Sequence, residues 1–180
     1  MYRYYYKDKA ISERDCDEFL ANYKDVEFSS ALVGTENKLA EEEDRKAKIY
    51  WLECNNILVR ALWSYVIEMN QNFQLKLTGY EKAQLTKYDD ECFYEWHMDA
   101  FNDGNIPTRK LTAILQLSKP EDYKGCEVQL FNGIKEPEEP PIKNQGSILI
   151  FKSDDWHRVS KLTDGTRYSL VMWATGPRLI

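Results

Sequence analysis

The chain has 180 residues, 43% of them hydrophobic and 30% charged, with a formal net charge of −6. That length suits one domain with a sizeable core, here expected over 1–180, rather than two. The acidity argues against a broad, non-specific grip on nucleic acid, which needs many phosphate-neutralising cations. No apolar run approaches the ~18–20 residues needed to cross a bilayer, and the opening Tyr- and Lys-rich residues lack the apolar centre of a signal peptide. Cys16, Cys54, Cys92 and Cys126 include no Cys-x-x-Cys pair. Free thiols in a reducing, cytoplasmic setting are the expectation.

In chain order, the initial Tyr/Arg alternation reads as a short edge strand. Ser12 with Glu13 and Asp15 carries the marks of a helix start, with the helix running to Tyr23 and Phe19 and Leu20 turned inward. Residues 26–30 read as a strand. Residues 34–48 are dense in charge, including Glu41, Glu42, Glu43, Asp44, Arg45 and Lys46, and read either as an exposed mobile loop or as a solvated helical turn. A helix is predicted over 55–70, where Ile57, Leu58, Ala61, Leu62, Tyr65, Val66 and Met69 recur at three- and four-residue intervals. Short apolar runs follow at 83–88, 93–99, 111–117, 127–131, 147–151 and 167–173, separated by Gly, Pro, Asn and Asp clusters. Residues 135–143, with Pro137, Pro140 and Pro141, read as a loop within the domain. Helices followed by short punctuated strands predict an α+β chain, mainly β, with helices packed on a jelly roll.

The chain has only two histidines. His97 and Asp99 are two residues apart near a strand end, a spacing that places both side chains on one face of a strand. His157 follows another apolar strand, either as a partner to them or as a surface-turn histidine held by a backbone hydrogen bond. Two imidazoles and one carboxylate form the facial triad that holds non-haem iron(II) with coordination positions left open. A closed zinc site would need a further Cys or His. Ten residues beyond His157, Arg167 shares one strand face with Ser169, Val171 and Trp173. An inward arginine is expensive to desolvate unless it meets an anion, and its planar fork suits a carboxylate. The alternative is an edge-strand arginine turned to solvent.

His-x-Asp, a long gap, His and then Arg in Arg167-Tyr168-Ser169 resembles the iron(II)/2-oxoglutarate-dependent oxygenases, and more narrowly their prolyl 4-hydroxylase branch and its prolyl/lysyl-hydroxylase-domain relatives in bacteria and phages. The matching pieces are Tyr88, the run from Tyr94 to Asp99, Arg109 to Thr112, Tyr123 to Glu127, Gly146 to Phe151, Asp155 to Val159 and Gly165 to Leu170. Val33, Gly34, Arg45 and Trp51 fit the same branch's N-terminal region, so the resemblance covers nearly the whole chain.

The resemblance implies a double-stranded β-helix (jelly roll) with supporting N-terminal helices. It also implies iron(II) on His97, Asp99 and His157, with 2-oxoglutarate and O2 as cosubstrates and ascorbate as an accessory reductant. Arg167 would hold the distal carboxylate of 2-oxoglutarate and Tyr88 would line its pocket. Thr112, Ile114 and Gln116 alternate onto one strand face, which places Gln116 within reach of the same carboxylate. Trp173 reads either as a pocket wall or as ordinary core. Arg109, Arg45 and Trp51 resemble elements that approach the substrate.

The implied reaction is hydroxylation of an unactivated C–H bond, on a prolyl residue of a peptide or protein, with release of succinate and CO2. No catalytic side chain beyond the metal centre is required. Two rivals remain at this point: a jelly-roll binding module without catalysis, and an oxidative nucleic acid demethylase. Such demethylases resemble this chain but usually carry a second arginine six residues after the first, where this chain has Trp173. A departure within the branch is Gly125-Cys126-Glu127 in place of the usual Gly-Gly-Glu. The Cys126 side chain either narrows the pocket, senses oxidation or simply packs.

Overall fold

The computed structural model describes residues 3–33, 38–39, 44–100, 108–133 and 136–177. Its first elements are β1 (Tyr4–Lys7), α1 (Glu13–Tyr23), β2 (Ser29–Ser30), β3 (Leu32–Val33), β4 (Lys38–Leu39), β5 (Arg45–Lys46), β6 (Lys48–Leu52) and α2 (Ile57–Phe73). There follow β7 (Gly79–Tyr80), β8 (Ala83–Tyr88), β9 (Phe93–His97), β10 (Thr108–Gln116), β11 (Tyr123–Gly125) and β12 (Val128–Leu130). The last are β13 (Ile148–Lys152), β14 (His157–Val159), β15 (Leu162–Gly165) and β16 (Arg167–Gly176).

Both helices begin where a side chain takes up an otherwise unpartnered backbone N–H. Ser12 Oγ accepts from the Asp15 N–H at 3.1 Å, and Asn56 Oδ1 accepts from the Leu58 N–H at 2.9 Å. The second helix stops at Gln74, whose φ of 53° is left-handed and breaks the repeat. No described helix is long and apolar enough to cross a membrane.

Among the described residues, β1-β13-β10-β16-β8-β6-β2 form the larger sheet, with β7 also paired to β16, and β12-β14-β9-β5 form a four-stranded sheet. Period-two alternation divides the large sheet's residues between its faces. Leu85, Leu111, Ala113, Leu115, Ile148, Ile150, Leu170 and Met172 pack with Phe19, Leu58, Leu62 and Val66 of the helices into the main core. The alternate residues face the smaller sheet, where Ile114, Leu149 and Phe151 meet Val128 and Leu130. Two antiparallel sheets face to face with helices behind one of them give the expected double-stranded β-helix.

Three expectations change. Only Ser29–Ser30 of 26–30 is a strand. The predicted loop at 34–48 falls partly on 34–37 and 40–43, which lie outside the described residues. Its described part is paired, with Lys38–Leu39 on Leu32–Val33, and Arg45 and Lys46 opposite Tyr94 and Phe93. Charge alone does not make a loop when a neighbouring strand offers backbone partners and an aromatic ring to cover the arginine. Finally, the strand predicted at 93–99 ends at His97.

Candidate metal centre and anion pocket

His97 and His157 are brought together by sheet pairing: β14 runs antiparallel to β9 with the two histidines opposite each other and their ring centroids 4.1 Å apart. The register slips between this pair and the next, Val159 opposite Tyr94. The extra residue in β9 lets Tyr94 and His97 face the same side and stack, with centroids 3.4 Å apart. Asp99 arrives differently. Beyond the strand end, the N–H groups of Asp99 and Ala100 both donate to the Ser153 carbonyl at 2.9 Å, and this turn aims the carboxylate inward. Asp99 Oδ1 is then 3.7 Å from His97 Nε2, and Oδ2 is 3.3 Å from His157 Nε2. All three donor atoms lie within 4.8 Å of one another.

Backbone carbonyls set the imidazoles. His97 Nδ1 lies 2.7 Å from the Glu95 carbonyl and His157 Nδ1 lies 3.0 Å from that of Asp155. A carbonyl only accepts, so each Nδ1 donates and each Nε2 is turned toward Asp99. Thr112 Oγ1 donates to Asp99 Oδ2 at 2.8 Å and lies 3.0 Å from Ser153 Oγ. Burial pushes His97 down to about 3, with His157 adding to the effect. Burial also pulls on His157, but the Asp99 carboxylate outweighs it and holds that imidazole above its ordinary value. Burial works to raise Asp99, and the two imidazoles, His157 first, override it and hold the carboxyl well below the usual range. A carboxylate and a neutral His97 are the ligating forms, and His157 joins them by giving up its proton.

The triad opens into a cavity of about 280 Å³ whose lining includes Tyr88, Thr112, Ile114, Arg167, Ser169 and Trp173. Arg167 is 1% exposed. Its Nε donates to Gln116 Oε1 at 3.0 Å, its Nη1 reaches Cys126 Sγ at 3.9 Å, and its Nη2 is buried with no partner. A buried guanidinium with an idle nitrogen facing a cavity is suited to an anion. The guanidinium also lies 5.6 Å from the Tyr88 ring centroid. Gln116 gives its own amide N–H groups to the Ser118 carbonyl at 3.0 Å and the Tyr123 hydroxyl at 3.2 Å. Its amide is therefore engaged in holding Arg167, whereas the sequence placed it within reach of the carboxylate.

At the mouth, Trp173 is a wall of the cavity, with the Arg109 guanidinium 3.9 Å from its ring centroid and Trp51 at 6.0 Å. Arg109 reaches that face because of a bulge at Lys110, which shifts the pairing of β10 on β16 by one residue. It is held bidentately by Glu81, at 2.9 and 2.7 Å. Arg45 lies over the Tyr94 ring at 4.3 Å and donates to Gln84 at 3.1 Å. All ten expected site residues except Gln116 line the cavity. Sequence reasoning missed the supporting Ser153 and Glu81, neither of which carries a local signal; Tyr123 stood in a matching piece without its bond to Gln116, and Thr112 was placed on the inner face without its bond to Asp99.

Two imidazole nitrogens and one carboxylate beside open space fit iron(II) better than a closed four-ligand site, and the idle Arg167 nitrogen in the same cavity fits an oxo-diacid. Comparisons with known proteins agree. The chain is 26% identical over 153 residues to a PKHD-type hydroxylase of Prochlorococcus marinus, covering 84% of this chain and 65% of that protein. It is 29% identical over 129 residues to one of Rippkaea orientalis, covering 68% and 54%. The chain thus spans roughly half to two thirds of these relatives' length.

Its fold matches a prolyl-4-hydroxylase of Pseudomonas putida with a TM-score of 0.76 at 18% identity, covering 99% of this chain and 95% of that one. It also matches a Trichoplax adhaerens prolyl hydroxylase in complex with a hypoxia inducible factor peptide fragment, with a TM-score of 0.76 at 17% identity, over 96% and 83% of the chains. A third likeness, at TM-score 0.71 and 16% identity over 96% of both chains, is to a viral collagen prolyl hydroxylase of Paramecium bursaria Chlorella virus in its 2OG complex. At this identity the likenesses are of fold. Residues 83–175 match the model of the 2OG-Fe(II) oxygenase superfamily. That match takes in more than half of the chain and includes Tyr88, the triad, Arg167 and Trp173, and the chain belongs to the 2OG-Fe(II) oxygenase superfamily, whose chemistry uses iron(II), 2-oxoglutarate and O2.

Proposed function

We propose that this chain is a 2-oxoglutarate-dependent dioxygenase that hydroxylates an unactivated C–H bond on a prolyl residue of a peptide or protein. The observation that carries the reading is one cavity holding both a convergent His97, Asp99 and His157 and a buried, unsatisfied Arg167 nitrogen. With its cosubstrates, the iron centre supplies the oxidant that turns C–H into C–OH, as 2-oxoglutarate becomes succinate and CO2. The chain's own part is to bind, orient and keep dry. His97, Asp99 and His157 are the ligands; Arg167 takes the distal carboxylate, beside the buried Tyr88. Trp173, Trp51, Arg109 and Arg45 form the approach for substrate, and two aromatic walls suit the compact, apolar ring of proline.

The prolyl substrate is supported by the relatives' description as PKHD-type hydroxylases and by the fold shared with prolyl hydroxylases, one of them bound to a peptide. One oxygenase domain over 1–180 belongs to this reading. So does a cytoplasmic setting, which the four free cysteines favour. The test is to supply iron(II), 2-oxoglutarate and O2 with proline-containing peptides, and to follow succinate and peptide mass. Iron-dependent succinate together with one added oxygen on proline is expected. Absence of iron-dependent succinate would overturn the enzymatic reading, and succinate without peptide hydroxylation would overturn the substrate.

A further inference from the structure

Cys126 lies between the Arg167 guanidinium and a second cavity. Its thiol faces Arg167, which lines the metal cavity. The same residue lines a second cavity of about 470 Å³, together with Tyr123, Lys124, Glu127, Pro140 and Lys143. Its place is rigidly set. The preceding Gly125 has a φ of +75°, and a Cβ there would sit 2.3 Å from the Lys161 carbonyl oxygen, so only glycine fits. Cys126 is itself left-handed, with a φ of 61°, and its N–H donates to the same carbonyl at 3.2 Å. A side chain in that conformation is unusual outside glycine, asparagine and aspartate. Backbone geometry would accept glycine without strain, yet a thiol is present, 1% exposed, against the guanidinium.

What the thiol does there follows from the bonds of Arg167. Nε is taken by Gln116, Nη1 is directed at the sulfur, and Nη2 is buried without a partner. An anion therefore has one idle nitrogen to meet, and the sulfur backs the guanidinium at Nη1. We infer that Cys126 is the end wall behind the Arg167 guanidinium and so sets the chain length of the 2-oxo diacid that Arg167 accepts, excluding a homologue one methylene longer by keeping the guanidinium out of the second cavity. The inference rests on the cosubstrate reading of Arg167 given above. Burial pushes the Cys126 thiol up to about 11, against the pull of Arg167, so at neutral pH it is an uncharged wall rather than a thiolate poised for oxidation.

The experiment compares 2-oxoglutarate with 2-oxoadipate, its six-carbon homologue, by anaerobic calorimetric titration of the manganese(II)-loaded full chain. Wild type, Cys126→Gly, Cys126→Ala and Cys126→Ser are compared. In the wild type 2-oxoglutarate binds the tighter. In the Gly and Ala variants the preference is expected to fall by about tenfold or more, the worth of one methylene in a fitted pocket. The near-isosteric Ser variant is expected to keep it. An unchanged preference in both Gly and Ala variants, with 2-oxoglutarate still bound, overturns the end-wall role and leaves the cosubstrate reading standing. Failure of the wild type to bind 2-oxoglutarate overturns both.

Discussion

At the Asp99 end of the cavity, charged and polar groups answer one another; at the Arg167 end, a guanidinium nitrogen is buried with no partner. Asp99 has His157 and Thr112, and each imidazole is turned by a backbone carbonyl. Arg167 has the neutral Gln116 and the neutral thiol of Cys126. The first end holds its geometry through internal compensation. The second keeps an uncompensated cation, which a bound anion would complete. A site assembled this way should lose different things when each end is damaged.

The largest effect is expected at the triad. His97→Ala or His157→Ala should abolish iron-dependent 2-oxoglutarate turnover while circular dichroism stays close to wild type, since both residues flank strand ends rather than the helix-packed core. Near-wild-type turnover in either variant would break the assignment of that end. Next comes Arg167→Ala, which truncates one member of a buried ion pair and should weaken 2-oxoglutarate binding by roughly 10²–10³. Lysine should restore part of this, having the charge without the fork. Metal titration of the same variants should move little, and a parallel loss of metal affinity would erase the proposed division between the two ends.

A smaller effect is expected from Thr112→Val, which removes the hydroxyl that holds Asp99 Oδ2. Loss of such a supporting bond typically costs about 10–100-fold in metal affinity. The 2-oxoglutarate affinity, measured with saturating metal, should change less. Smallest is Gln116→Leu, where Arg167 loses its Nε partner but keeps its burial. About a tenfold loss of 2-oxoglutarate affinity is expected, at the low end for a hydrogen bond to a charged group. An unchanged affinity would mean that the guanidinium is held well enough by its packing alone.

Much of the site was legible because its signals are local. A two-residue step from His97 to Asp99, an apolar strand before His157 and period-two alternation around Arg167 can be read without a partner strand. Even so, His97 and Asp99 do not share a strand face. The strand stops at His97, and Asp99 is aimed by a carbonyl from Ser153, far along the chain. Arg45 and Lys46 look like loop residues until Tyr94 and Phe93 are placed beside them. Arg109 faces the cavity only because of the bulge at Lys110, and its partner Glu81 is identified by nothing nearby in sequence.

The sequence by itself determined the fold class and the donor types, and left Arg167 as either an inward arginine or one turned to solvent. Those depend on periodicity, on side-chain chemistry and on turn residues, all carried by short stretches of chain. Tertiary structure alone decided that Gln116 holds Arg167 and that Cys126 sits against the guanidinium. Each of these is a contact between residues far apart in the chain. Its geometry is set by register, bulges and left-handed turns, and a shift of one residue in any of them would turn the side chain to the other face.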